Sequence, residues 1–121
     1  MSQVNNKEFK IINKCKEFSN TLDNILENVP RKDMFYKDRL KNETLNLIKN
    51  IYYINGIDDK EKIKDVYSEL CANIALIDYE LERLYLKKYI VFKTLEKIAF
   101  LLIEINKMCK VWVTNKLNDE S

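Results

Sequence analysis

The side chains of this sequence whose spacing could do chemistry are mostly basic. Arg31, Lys32, Lys37, Arg39 and Lys41 form one run, and Lys87, Lys88 and Lys93 form another. Runs of this kind neutralise phosphates, releasing about one condensed counterion for each phosphate engaged. The same lysines are equally the ordinary solvated residues of a charged surface. Lys87 and Lys88 would in any case complement the dipole of a helix ending beside them. The carboxylates offer less. Asp78 with Glu82, and Glu80 with Arg83 and Lys87, fall three and four apart, but a metal site in a helical bundle wants Glu-x-x-His pairs. The chain has no histidine, which also removes the commonest general acid and base. Cys15, Cys71 and Cys109 are odd in number with no CxxC pair, so buried, reduced thiols are expected. The seven tyrosines are scattered along the chain; such rings either stack on bases or pack at the rim of a core. Nothing assembles an acid, a base and a nucleophile. No catalytic residue, metal or cofactor is expected, and the chain reads as a non-enzyme.

Helices must position these residues. The 121 residues include one glycine and one proline, too few turn formers for a sheet protein or a Gly-rich phosphate loop. A first apolar stripe runs through Ile11, Cys15, Phe18, Leu22, Ile25 and Val29 in steps of three and four, the helical spacing. Pro30 should stop that helix at Val29, and Asp33 is placed to cap the next. The second stripe is Leu40, Thr44, Leu47, Ile51 and Ile54. Asn55-Gly56 should end it, glycine tolerating the left-handed conformation past a helix end. Asp58 and Glu61 have capping-box spacing. They open a third stripe of Ile63, Tyr67, Leu70, Ile74, Ile77, Leu81 and Leu84. The fourth is Leu95, Ile98, Leu102, Ile105, Cys109, Trp112 and Lys116.

No Gly or Pro separates the last two stripes, and one continuous helix is the rival reading. A break near 87–92 is preferred, because Tyr89-Ile90-Val91-Phe92 is a run of weak helix formers. The expectation is an all-α, up-down-up-down antiparallel four-helix bundle, residues 1–121 forming one domain with helices at about 5–29, 33–55, 59–87 and 92–117. Leu86, Ile90, Phe92, Phe100, Leu101 and Ile103 lie off the stripes; they imply either a second buried face, hence an oligomer, or a wider core. The polar start of the chain and the short apolar run 98–103 leave no signal segment and no span of roughly 18–20 residues. A cytoplasmic protein with no membrane contact is expected.

Formal net charge is +2, from 21 basic and 19 acidic residues, but it is unevenly placed. Residues 31–56 carry six basic and three acidic groups, residues 57–86 four and eight, and residues 87–121 seven and four. In an up-down bundle the first and third connections share an end, which brings the two basic runs together.

Two stretches go beyond a generic bundle. Asn28-Val29-Pro30-Arg31-Lys32-Asp33 leads into the second helix, and Ile103-Glu104-Ile105-Asn106-Lys107-Met108-Cys109-Lys110-Val111-Trp112 lies late in the fourth. Together they resemble the four-helix-bundle family that includes the accessory variability determinant (Avd) proteins of diversity-generating retroelements and the proteins encoded in ribosomal-RNA intervening sequences. Pro30, Arg31 and Lys32 match the family's turn into the second helix. Glu104, Ile105, Lys107 and Trp112 match its late signature, with Lys107 standing where Arg is usual. Leu81-Glu82-Arg83-Leu84 with Lys87-Lys88-Tyr89-Ile90 matches more loosely. The likeness spans about residues 9–115, and the signature's two glycines are replaced by Asn106 and Lys110. The resemblance implies a non-catalytic homopentamer with a basic surface that binds a reverse transcriptase and template-repeat RNA, supporting mutagenic complementary-DNA synthesis. Its alternative member type stands alone, without a polymerase, and a generic helical interaction module or regulator is a third reading. No small-molecule substrate is implied. Lys107 and Lys110 join the two basic runs as candidate contacts.

Overall fold

The computed structural model describes residues 6–119 and contains four α-helices: α1 Asn6–Leu26, α2 Met34–Gly56, α3 Lys60–Leu86 and α4 Phe92–Leu117. Position 5, where the first helix was expected to begin, lies outside the described residues. A short 3-10 turn, Arg31–Asp33, precedes α2. Each helix packs on its two neighbours, α1 on α2 and α4, α3 on α2 and α4. Cross-helix partners fix the direction. Tyr36 meets Arg83, Arg39 meets Glu80, and Asn50 meets Asn73, so one number rises as its partner's falls and α2 and α3 are antiparallel. This is the four-helix bundle that the spacing predicts.

The stripes form the core. Phe18, Leu40, Leu47, Ile51, Ile54, Ile77, Leu81, Leu84, Ile98, Ile105 and Cys109 are completely buried. The wider apolar set divides: Ile90 is buried and Leu101 partly so, whereas Leu86, Phe92, Phe100 and Ile103 are each more than half exposed. For those four, a wider core within one chain does not account for the apolar excess.

Several helix ends differ from expectation, each for a local reason. α1 stops at Leu26, not Val29, because its last turn tightens into three-residue bonds, Asn28 N–H to Ile25 O and Val29 N–H to Leu26 O, both 3.1 Å, ahead of Pro30. Asp33 occupies the cap position of α2 but makes no capping bond; its carboxylate is engaged elsewhere. The cap of α3 is Asp59 rather than Asp58, accepting from the Glu61 and Lys62 amides at 2.9 and 3.5 Å. Two adjacent aspartates made the register ambiguous by one residue.

The two turn signals are inverted. Gly56 closes α2 with an ordinary negative φ, and a Cβ there would meet nothing within 4 Å. Lys88 is the residue in the left-handed region, at φ 67°. Lys88 N–H bonds Tyr85 O at 2.9 Å and Tyr89 N–H bonds Leu84 O at 3.0 Å, the paired closure of a Schellman motif. A lysine therefore ends α3 where glycine is usual, at about 1–2 kcal/mol of local strain.

Candidate nucleic-acid interface

The first and third connections, residues 27–33 and 87–91, meet at one end of the bundle, and polar contacts tie them. Tyr89 donates its hydroxyl hydrogen to Asp33 Oδ2, and Lys87 Nζ lies 4.0 Å from the same oxygen. This is where the missing cap of α2 goes: Asp33 joins the two loops instead of the helix start. Losing that bond on ionisation pushes the Tyr89 phenol above its ordinary value, with burial adding to the effect. Lys87 also sits 5.3 Å over the Tyr36 ring.

Along α2 and α3 the ties continue. Arg83 donates to Tyr36 Oη at 2.9 Å and lies over the rings of Tyr36 and Tyr79 at 5.4 and 5.8 Å. Arg39 reaches Glu80 Oε1 at 3.2 Å and stacks over Phe35 at 4.8 Å. Glu80 is 2% exposed, and its second oxygen, Oε2, has no hydrogen-bond partner among the described residues. Further down the seam Asn50 donates to Asn73, which donates to Glu43.

The basic residues thus separate into four groups. Lys87 and Arg39 are engaged with carboxylates. Arg31, Lys32, Lys88 and Lys93 are exposed around the two loops and form no ion pair among the described residues. Lys37 and Lys41 continue from the loop along α2, Lys41 lining a groove of about 250 Å³ against α1 with Ser19 and Asp23. Lys107 and Lys110 do not join this cluster. They lie roughly 22–27 Å along α4 from Phe92, where Lys107 borders an apolar groove of about 310 Å³ with Lys10, Met108 and Trp112.

Aromatic residues gather at the same end. Tyr36, Tyr79, Tyr85 and Tyr89, far apart in sequence, flank the two connections together with Phe35 and Phe92. Phe35 meets Tyr36 edge-on at 6.2 Å, and Phe92 meets Tyr85 edge-on at 5.8 Å. From the sequence the tyrosines read as scattered, Phe92 reads only as a weak helix former and an off-stripe apolar residue, and Phe35 is not singled out. Their positions beside the turns were the available signal. Arg83 and Glu80 were also missed as parts of this end, since their roles depend on partners about forty residues away in α2.

The thiols sit elsewhere. Cys15 and Cys109 are buried and Cys71 is half-buried, close enough that their charges would influence one another. Burial pushes the Cys15 thiol up to about 12. It pushes Cys109 up as well, reinforced by Cys15 and Cys71. Neither is a nucleophile at neutral pH. Tyr67 is pushed up to about 12, first by burial and then by its hydrogen bond with Cys71. Among the described residues no group of three or more His, Cys, Asp or Glu is placed to hold a metal ion, and no helix is long and apolar enough to cross a membrane. Comparison with protein-family models, with curated proteins and with solved structures finds no match to this chain.

Proposed function

We propose that this protein is a non-catalytic, RNA-binding accessory subunit of a diversity-generating retroelement that also engages the element's reverse transcriptase. The observation carrying the RNA part is the charge arrangement at the loop end. Residues 27–39 and 79–93 hold eight basic and five acidic side chains, and two of the five, Asp33 and Glu80, are turned inward onto Lys87 and Arg39. With those two pairs set aside, six basic and three acidic side chains remain, so the end keeps a net charge of +3. The polymerase and the retroelement rest on the motif resemblance. Self-association as a homopentamer belongs to the same reading, supported by Phe100, Ile103 and Val111, which leave apolar surface exposed on α4.

Charge reversal tests it. Arg31→Glu, Lys32→Glu, Lys88→Glu and Lys93→Glu together should abolish RNA binding at low salt with helicity unchanged. The wild-type affinity should fall steeply with salt, with a slope of about −0.7 per phosphate contact on a single strand. A wild-type protein that binds no RNA at low salt ends the RNA reading. Failure to co-purify with a reverse transcriptase encoded beside it ends the accessory-subunit reading.

A further inference from the structure

Charge explains attraction to any phosphodiester backbone, duplex or single-stranded. It does not explain the rings. At the loop end Phe35 is 64% exposed, Phe92 55% and Tyr79 51%, in the same segments of the chain as the exposed basic residues. Each phenylalanine meets a half-buried tyrosine edge-on, a contact that orients the ring while more than half of its surface stays exposed. Arg39 lies over Phe35, and Arg83 lies over Tyr79, so a cation stands within about 6 Å of two of the three rings. The phosphates of a strand laid on these rings would be met by the exposed Arg31, Lys32, Lys88 and Lys93.

This combination suits one form of nucleic acid. In a duplex the base faces are stacked inside and offer exposed rings nothing to cover them. In a single strand every base presents a face, and aromatic platforms within a basic surface bind it with little dependence on sequence. We propose that the loop end selects single-stranded over duplex RNA, with Phe35, Tyr79 and Phe92 as platforms for unpaired bases and Arg31, Lys32, Lys88 and Lys93 as phosphate contacts. The inference rests on the RNA-binding reading above and goes beyond it in naming the strand state. It also accounts for the apolar character of the end, which a purely electrostatic surface does not require.

The test is fluorescence anisotropy on the full chain at about 50 mM salt, with an unstructured, labelled RNA of about fifteen nucleotides and the blunt duplex of the same sequence. The single strand should bind about tenfold tighter or more. Phe35→Ala and Phe92→Ala should each lower single-strand affinity about fivefold or more and leave duplex affinity unchanged. Both rings are exposed, so circular dichroism should show the variants folded; Phe35→Tyr and Phe92→Tyr should restore binding. Equal affinity for the two RNAs, or equal losses on both in the alanine variants, overturns the inference while the RNA reading stands. Binding of neither RNA removes both. Flotation with phosphatidylserine-containing vesicles and no RNA binding would assign the rings to a membrane surface and overturn it as well.

Discussion

At the end carrying residues 27–33 and 87–91 the helices are joined by directional contacts: Asp33 with Tyr89 and Lys87, Tyr36 with Arg83, Arg39 with Glu80. At the opposite end, Ile11, Cys15, Ile63, Cys109 and Trp112 are buried. There the polar contacts include the Asp59 cap, the Glu61–Lys64 pair and a tie between α1 and α4, Lys14 to Glu104 at 3.3 Å. Both ends are closed by burial, Leu26, Leu40 and Leu84 being completely buried at the loop end, but the loop end adds a denser set of hydrogen bonds and charge contacts between helices. The difference separates tasks. An end that presents rings and cations to a ligand needs its side chains held in place, and polar ties hold them without covering them.

Substitutions should bring out this difference, most strongly at the opposite end. Trp112 is 4% exposed, and Trp112→Ala should lower stability by about 3–5 kcal/mol. Urea titration should show that loss unchanged between low and high salt. At the tied end, Arg39→Ala strands the Glu80 carboxylate. Arg39 is itself nearly half exposed, so the loss should be about 1–3 kcal/mol rather than the full value for a buried pair. Glu80→Gln in the same background should recover part of it; no recovery would show that Arg39 acts through Phe35 alone.

A third comparison uses pH. Cys15 has an ordinary thiol value of 9.0 when unfolded and about 12 when folded. The unfolded chain therefore releases this proton first, and stability present below pH 9 is lost as pH rises towards 12. Melting curves should show this alkaline loss reduced in Cys15→Ala measured against its own neutral-pH stability. An unreduced loss would assign it to Cys109 and the tyrosines instead. The smallest effects come from the two turns. Lys88→Gly should stabilise by about 1 kcal/mol by relieving the left-handed strain, raising Tm by a few degrees. Gly56→Ala should add about 0.4–1 kcal/mol.

The same contrast governs what the sequence made legible. Burial repeats every three or four residues, so the four stripes and the architecture could be read directly from spacing. The third turn was visible only through the weak helix formers of 89–92, because Lys88 occupies the position where glycine would have announced it. Directional contacts leave no period. Asp33 reads as a cap until Tyr89, far along the chain, is placed beside it. Glu80 reads as one more solvated carboxylate until α2 covers it. Arg39 and Lys87 read as free charges for the same reason. Lys107 and Lys110 were grouped with the loop residues by charge and motif alone, whereas position along α4 sets them apart.

The buried Glu80, with one oxygen on Arg39 and the other without a hydrogen-bond partner among the described residues, bears on how the fold responds to heat. Hydration of a charged group carries a strongly negative entropy, so the penalty for withdrawing this carboxylate from water shrinks as temperature rises. An apolar replacement of both partners would gain most in the cold and least near the melting point. The pair therefore tilts the stability curve towards the warm side, an influence that a single room-temperature measurement would record only as a weakness.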